Sequence, residues 1–335
     1  MLLTAFIFIA VLAILILGHE LGHFVAAKIF RLRVDEFAFG FPPKIFSKKM
    51  GETTYTLNAI PFGGFVKIHG ENGAEEAEDK DASRAFHLQS AWKRGLVMVA
   101  GVVMNFLIGW FAFSAIFMMG IPHKLYITQV FPGSPAAVAG FEPGDAIAGF
   151  ETTGDFISFI NANAGKTVSI NGKELVPRIN PPVNEGKMGI ALTDAYVAPL
   201  GPIESFKQSF VKSFETLKSI LAALGEIVKS AFTGGEALKE VAGPVGIFKI
   251  VGSASELGFV YLLQLLALLS LNLTIFNLLP IPALDGGRLL FVLIEKIAGR
   301  KLNAKYENFA NLAGFCFLML LVLAVTVSDI FKLTG

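Results

Sequence analysis

The sequence has little cysteine and little charge. Its single cysteine, Cys316, excludes an intrachain disulfide framework in this chain of 335 residues. Charged residues make up only 16% of the sequence, below the share of about a quarter that is usual in soluble domains. The net charge of +1 gives no basic surface for a nucleic acid, so no nucleic-acid partner is expected. Together with a mean hydropathy of +0.62, these shortages predict a membrane protein.

Four stretches are long and apolar enough to cross a bilayer, which takes about 20 residues. They are residues 2–25, 95–119, 259–279 and 308–327. No basic segment precedes the first stretch and no small-residue cleavage site follows it, so we expect a retained anchor rather than a signal peptide. The sequence therefore predicts an α-helical polytopic membrane protein with four transmembrane helices.

Basic residues are concentrated in two of the connections between these stretches. Lys28, Arg31, Arg33, Lys44, Lys48 and Lys49 follow the first stretch, and Lys93 and Arg94 stand just before the second. Arg288, Lys296, Arg300, Lys301 and Lys305 lie between the third stretch and the fourth. The positive-inside rule places both connections in the cytoplasm. Both termini and residues 120–257 are then expected outside it.

The first connection predicts β structure beside the membrane. Between residues 34 and 68, aromatic and β-branched residues alternate with Gly and Pro, which predicts strands at 53–57 and 65–68. We expect this membrane-associated β-hairpin to dip into the membrane interface. Residues 71–81 are acidic and poor in apolar side chains, which favours a mobile loop.

The second connection predicts a separate β-rich domain. Residues 126–197 resemble a PDZ domain, because a strand is followed by a PGSPA turn, a short helix and a GD-containing strand. Later strands are predicted at 167–171, 174–179 and 189–192. Such a domain would bind a peptide at its sheet edge or gate access, and a rigid spacer is the alternative. Residues 203–232 have helical apolar spacing with scattered lysines, which predicts an amphipathic helix. It could lie on the outer membrane surface, pack against the PDZ-like domain, or be an ordinary packed linker helix.

These patterns divide the chain into seven segments. They are the first transmembrane helix at 1–31, the hairpin and acidic loop at 32–90, the second transmembrane helix at 91–120, the PDZ-like domain at 121–198, the amphipathic helix and linker at 199–256, the third transmembrane helix with a cytoplasmic helix at 257–305, and the fourth transmembrane helix at 306–335. The hairpin and the single PDZ-like domain are thus insertions between membrane helices.

The motif His19-Glu20-Leu21-Gly22-His23 lies at the end of the first apolar stretch. On a helix, positions i and i+4 share a face, so both imidazoles can bind one zinc ion. Glu20 can then act as the general base on a water molecule. Ionisable residues at membrane depth are costly, which favours this interpretation over two buried histidines and a Glu reaching the helix end.

A catalytic zinc site needs a third protein ligand, and Asp285 is the best placed acidic residue. It lies in the sequence NLLPIPALDGGR, residues 277–288, at the end of the third apolar stretch. The prolines interrupt the helix and the paired glycines permit close approach of the backbone. The alternative is that Asp285 caps the apolar helix that follows it.

With these motifs, the sequence closely resembles the site-2 protease family of intramembrane zinc metalloproteases, in particular its bacterial regulator-of-sigma-E protease group. The resemblance covers nearly the whole length, including HELGH, PFGGFVKIHGE at residues 61–71, and NLLPIPALDGGR. It implies that His19, His23 and Asp285 hold zinc and that Glu20 is the base. It also implies hydrolysis of peptide bonds within transmembrane segments of single-span proteins, such as anti-sigma factors or remnant signal peptides, in a bacterial cytoplasmic membrane.

The resemblance further implies a substrate-binding surface. Asn277 matches an asparagine that contacts substrate in this family, and Asn105 matches that of a GPxxN pattern in which Val102 here replaces Pro. Either side chain could hydrogen-bond the substrate backbone. An unwound substrate segment would add as a strand along four residues of the hairpin: Phe65, Val66, Lys67 and Ile68. The expected partners are transmembrane segments, the bilayer and a peptide at the PDZ-like domain.

Two other functions are open on the sequence. One is a membrane-anchored metalloprotease that cuts soluble or juxtamembrane peptides, which the depth of the HELGH motif disfavours. The other is a catalytically idle, PDZ-bearing membrane adaptor. The presence together of His19, Glu20, His23 and Asp285 disfavours the adaptor, since an idle protein needs none of them.

Overall fold

The computed structural model describes residues 1–71, 82–150, 152–182, 185–233 and 242–334. It divides into two compact units, Met1–Ala115 with Phe206–Gly335, and Ile116–Ser205. The helices are α1 Leu2–Ile29, α2 Ala91–Met119, α3 Pro135–Val138, α4 Thr153–Ala162, α5 Pro202–Thr233, α6 Pro244–Leu257, α7 Phe259–Leu278, α8 Asp285–Ala298 and α9 Ala304–Thr334. The strands are β1 Val34–Met50, β2 Thr53–Ile68, β3 Ile121–Val130, β4 Ala146–Ile147, β5 Val168–Ile170, β6 Lys173–Leu175 and β7 Ile190–Val197.

The predicted membrane-spanning helices are confirmed as four long, apolar helices within the described ranges. Those long and apolar enough to cross a bilayer are Leu2–Ile29, Ala91–Met119, Phe259–Leu278 and Lys305–Lys332. The first, second and fourth extend a few residues beyond the predicted apolar stretches. They do so because good helix formers such as Lys28 continue the helix after the apolar run has ended.

The first connection forms one antiparallel sheet from β1 and β2. Residues 36–39 of β1 pair on one side with residues 54–57 and on the other with residues 64–67 of the same partner strand. Both strands therefore bend back, and residues 64–68 form an edge that pairs with β1 alone among the described residues. The two separate strands predicted at 53–57 and 65–68 are thus wrong in extent, because the Gly and Pro residues between them bend β2 without ending it. The predicted acidic loop lies outside the described residues apart from Glu71.

A buried apolar cluster holds this sheet against α1 and α2. Its members come from the end of α1 and the residues after it, the paired ends of β1 and β2, and α2 with the segment before it: Ala27, Leu32, Val34, Ile68, Phe86, Val97 and Met98. At the β1–β2 turn, Glu52 accepts hydrogen bonds from Arg84 and Lys28. The Arg84 guanidinium and then the Lys28 ammonium lower the pKa of Glu52 to about 2. These contacts fix the position of edge residues 64–68 relative to α1.

The second unit has its own core and a small sheet ordered β4–β3–β7. Its buried residues include Leu125, Ile127, Phe141, Phe156 and Ile160. The predicted strands at 167–171 and 174–179 are shorter than expected, as β5 and β6, whereas the one at 189–192 extends further as β7. Helix α4 was not predicted. It begins at the Thr152 N-cap, whose hydroxyl accepts a hydrogen bond from the Asp155 backbone N–H.

The amphipathic helix predicted at 203–232 is observed as α5, and it packs on α2 through aromatic side chains. Trp110 contacts Phe206 and Phe210, with ring centroids 5.8 and 5.3 Å apart, and its indole N–H donates to the Phe206 carbonyl. The region after it was predicted to be a linker but contains helix α6. There Pro244 occupies the first turn, where a missing N–H costs nothing, and the Gly246 N–H donates to Asp329 of α9.

Candidate active site

Three side chains from two helices meet at one point. The Nε2 atoms of His19 and His23 lie 3.2 Å apart, because the residues are one turn apart on α1. Oδ2 of Asp285 lies 3.2 Å from Nε2 of His19 and 3.3 Å from Nε2 of His23. Among the described residues, these are the three whose nitrogen and oxygen atoms are grouped closely enough to hold a metal ion.

The chain reversal after α7 brings Asp285 to α1. Helix α7 ends at Leu278, and the loop that follows contains Ala283 with a positive φ of 76°. The Ala283 N–H donates to the side chain of Asn311 in α9, at 3.1 Å, which holds this strained position. Asp285 is the first residue of α8, whose N-cap is Leu284. The capping role considered for Asp285 is therefore wrong, since its carboxylate faces the imidazoles instead.

One side of α2 is built around the two histidines. The Val97 carbonyl oxygen accepts a hydrogen bond from Nδ1 of His23 at 2.8 Å. Gly101 lies one turn after Val97. A Cβ at this position would lie 2.4 Å from Nε2 of His23, which is closer than real Cβ atoms come to other atoms. Another turn on, Nδ2 of Asn105 lies 3.1 Å from Nδ1 of His19. Helix α2 thus approaches the histidines closely enough to contact both rings.

A cavity of about 470 Å³ lies beside these three side chains. It is lined by Glu20, by Asn277 and by the hairpin edge, so the structure places these predicted residues around one space. The hairpin residues of the lining are Gly64, Phe65, Val66, Lys67 and Ile68. Asn105, predicted to contact substrate, does not line the cavity and is fully buried.

Two charged residues in the cavity wall were not predicted from the sequence. Arg288, one turn after Asp285 on α8, donates to the Glu71 carboxylate that follows the hairpin edge. The Glu71 charge raises the pKa of Arg288 above its ordinary value. Both residues lie within the PFGGFVKIHGE and NLLPIPALDGGR motifs, so the motifs contained the signal although the pairing of the two did not follow from them.

The three converging side chains fit a zinc ion. Two imidazole nitrogens and one carboxylate oxygen are a donor set found in catalytic zinc sites, which keep a further position for water or substrate. Burial would raise the pKa of the Asp285 carboxyl, but the His19 and His23 imidazoles lower it well below its ordinary range. Asp285 is therefore a carboxylate at neutral pH, which is the form that binds metal.

Comparison with known proteins agrees with this geometry. Residues 7–321 match the model of peptidase family M50. A protein of Clostridium perfringens named "Putative zinc metalloprotease" is 38% identical over 327 residues, covering 94% of this chain and 95% of the relative. The zinc metalloprotease RasP of Geobacillus kaustophilus is 31% identical, covering 97% of each chain. This chain therefore belongs to peptidase family M50, the site-2 protease family, and is a zinc metalloprotease.

Proposed function

We propose that this zinc metalloprotease cleaves peptide bonds inside the transmembrane segments of single-span membrane proteins. The observation that carries the proposal is the depth of the candidate site. His19 and His23 lie on α1, an apolar helix long enough to span a bilayer, and the former is six residues before the end of its apolar stretch at Val25. At 1.5 Å per residue, that separation is about 9 Å along the helix axis.

The side chains around the cavity divide the chemistry among them. His19, His23 and Asp285 would hold the zinc ion, with Nε2, Nε2 and Oδ2 as the converging atoms. When bound, zinc supplies Lewis acidity, which polarises a carbonyl group and makes water a stronger acid. Glu20, which lines the cavity next to the first histidine, takes a proton from the attacking water and later gives it to the leaving amine. Asn277 lines the same cavity and can hydrogen-bond the substrate backbone.

The hairpin edge at residues 64–68 supports binding of the substrate as an added strand. A peptide bond in a helix is hydrogen-bonded and shielded, so the substrate helix must unwind before attack. The backbone groups freed in this way need partners, since membrane depth offers little water. The edge pairs with β1 on one side only among the described residues and lines the cavity, so it can supply those partners.

The basic residues of the first and third connections support an orientation with the hairpin and α8 in the cytoplasm. In that orientation, the candidate site opens towards the cytoplasmic side, and both termini and the second unit lie outside. The membrane would be the cytoplasmic membrane of a bacterium, the class of organism in which the compared relatives occur. Substrates that fit are single-span proteins already shortened outside the membrane, such as anti-sigma factors, or remnant signal peptides.

We propose in addition that the second unit is PDZ-like and binds a peptide. A groove of about 420 Å³ lies between α4 and β7, with a largely apolar lining that includes Phe156, Ile157 and Leu192. Strand β7 is at the edge of its sheet as far as the described residues go, so an extended peptide can pair with it while an apolar side chain enters the groove.

Ile157→Asp is expected to abolish peptide binding by the second unit, because it places a charge in the groove. Ile157 is 50% exposed, so the substitution leaves the buried core intact. The measurement is selection of a displayed random peptide library on the full-length protein in detergent. Val138→Asp, at a residue that is 83% exposed outside the groove, is the control. Recovery of the same peptides on the Ile157 variant, or of none on the parent protein, would contradict peptide binding in this groove.

Removal of zinc is expected to stop cleavage, and zinc is expected to restore it. The test is cleavage of a panel of tagged single-span proteins reconstituted with the protease in liposomes, before and after chelation. Cleavage should return with zinc but not with magnesium, because two imidazoles in the donor set favour zinc. Cleavage that survives chelation would contradict the proposal. Absence of cleavage of every substrate by zinc-loaded protein would favour the membrane adaptor.

A further inference from the structure

The three residues of α2 that face the histidines are spaced four apart: Val97, Gly101 and Asn105. Positions with this spacing lie on one side of a helix. Three features of α2 therefore face His19 and His23 in succession. They are a backbone carbonyl oxygen, a glycine without a side chain, and a carboxamide. The first two have clear roles, since Val97 accepts from His23 and Gly101 makes room for both rings.

The Val97 contact determines which nitrogen of His23 faces the metal position. A carbonyl oxygen only accepts hydrogen bonds, so Nδ1 of His23 carries the hydrogen. Its Nε2 then has a free lone pair directed to the point where Asp285 and His19 converge. Histidine ligands of metals are commonly fixed in this way by an acceptor on their second nitrogen.

His19 requires the same kind of acceptor, and Asn105 is the polar side chain beside its Nδ1. The Asn105 side chain is fully buried, and its Oδ1 has no hydrogen-bond partner among the described residues. Its Nδ2 lies 3.1 Å from Nδ1 of His19. When Nε2 of His19 binds a metal, Nδ1 carries the hydrogen, and a half-turn of the amide directs Oδ1 to it. Within the part of the chain that the structure describes, no hydrogen bond to Oδ1 opposes that rotation.

The backbone of Asn105 is fixed independently of its side chain. The Ser270 hydroxyl of α7 donates to the Asn105 carbonyl at 2.7 Å, and both residues are fully buried. Helix α7 leads directly into the loop that precedes Asp285. The backbone of Asn105 is thus held by α7, the helix that precedes Asp285, while its side chain contacts His19.

We propose that Asn105 is a positioning residue for the metal site and not a substrate-binding residue. Its amide oxygen accepts a hydrogen bond from Nδ1 of His19 and so fixes the tautomer and the ring orientation in which Nε2 binds zinc. The inference rests on the proposed zinc ligands. It gives a physical role to the GxxxN spacing, in which Gly101 admits the rings and Asn105 orients one of them.

The test is the zinc affinity of the full-length protein in detergent, measured by competition with a chelator. Asn105→Leu removes the acceptor at similar volume and is expected to weaken zinc binding about 10- to 100-fold, the usual effect of losing an outer partner. Asn105→Asp keeps an acceptor oxygen and is expected to retain tight binding. Asn272→Leu is the control, since among the described residues the Asn272 amide bonds the Leu268 carbonyl of its own helix alone.

A second measurement separates orientation from folding. Cobalt replaces zinc, and its visible absorption reports ligand geometry, which should change in Asn105→Leu and in the smaller Asn105→Ala but not in Asn105→Asp. Should the Leu variant fail to fold, the Ala variant gives the same comparison. Wild-type zinc affinity in the Leu or Ala variant, or equal losses in the Asp and Leu variants, would overturn the proposal. A substrate-binding role instead predicts unchanged zinc affinity with a raised KM. Because zinc binding is measured without substrate, these outcomes are independent of whether the protein cleaves membrane segments.

Discussion

Glu20→Gln is expected to lower the cleavage rate about 10²- to 10⁴-fold, the range that a general acid–base group contributes. The amide cannot take a proton from water, yet it has nearly the shape of the carboxylate. Glu20 lines the cavity but is not one of the three residues whose side chains converge. The zinc content of the variant should therefore stay unchanged. The measurements are the initial rate of substrate cleavage in liposomes and the zinc-to-protein ratio of the same preparation.

Glu226→Gln is the matched control for this substitution. Glu226 is an exposed carboxylate of α5 that does not line the cavity, so its removal should leave the rate unchanged. A Glu20 variant that cleaves at the wild-type rate would remove this carboxylate from the reaction. A Glu20 variant that has also lost its zinc would show that the carboxylate supports metal binding, and the loss of rate would then not assign the base.

Gly101→Ala is expected to weaken zinc binding by at least about 100-fold, above the usual effect of losing an outer partner, because it disturbs the ligands themselves. The added methyl group would lie 2.4 Å from Nε2 of His23 and 2.7 Å from Cε1 of His19. Close-packed interiors do not absorb such an overlap, so the rings must move. Alanine also favours helix more than glycine, so the loss cannot come from a weaker α2.

Gly95→Ala on the same helix is the matched control. A Cβ at Gly95 would meet Leu289 at 3.5 Å, which is ordinary contact, so zinc binding and folding should be unaffected. The measurement is the zinc-to-protein ratio after dialysis against a chelator, with thermal unfolding of the metal-free proteins as the test of folding. Wild-type zinc retention by the Gly101 variant would contradict the close approach of α2 to the histidines.

The sequence was sufficient to predict the long apolar helices and the three converging side chains because their signals are local. The spacing of His19 and His23 implies one helix face, and a broken helix followed by paired glycines marked Asp285 as a candidate for the third ligand. The apolar stretches gave the four long helices in the same way. Each of these signals is carried by residues that are close together in the chain, although the search for a third ligand began from the two histidines.

What the sequence could not give depends on contacts between distant residues. The hydrogen bond between His23 and the Val97 carbonyl joins residues 74 positions apart, and a backbone acceptor has no residue-type signature. The pairing of Glu71 with Arg288 spans 217 positions. The bending of β2 depends on its pairing with both sides of β1, so local turn signals at Gly63 and Gly64 suggested a strand end where there is a bend.

The most direct test of the central claim is the position of the cut bond. A single-span substrate is cleaved by the reconstituted protein in liposomes, and the new termini of both products are identified by mass spectrometry. We predict termini inside the apolar segment, and neither product should form in the Glu20→Gln variant. Termini only in the polar flanks, or equally fast cleavage of a soluble peptide with the flank sequence, would contradict intramembrane cleavage and indicate a membrane-anchored protease of soluble segments.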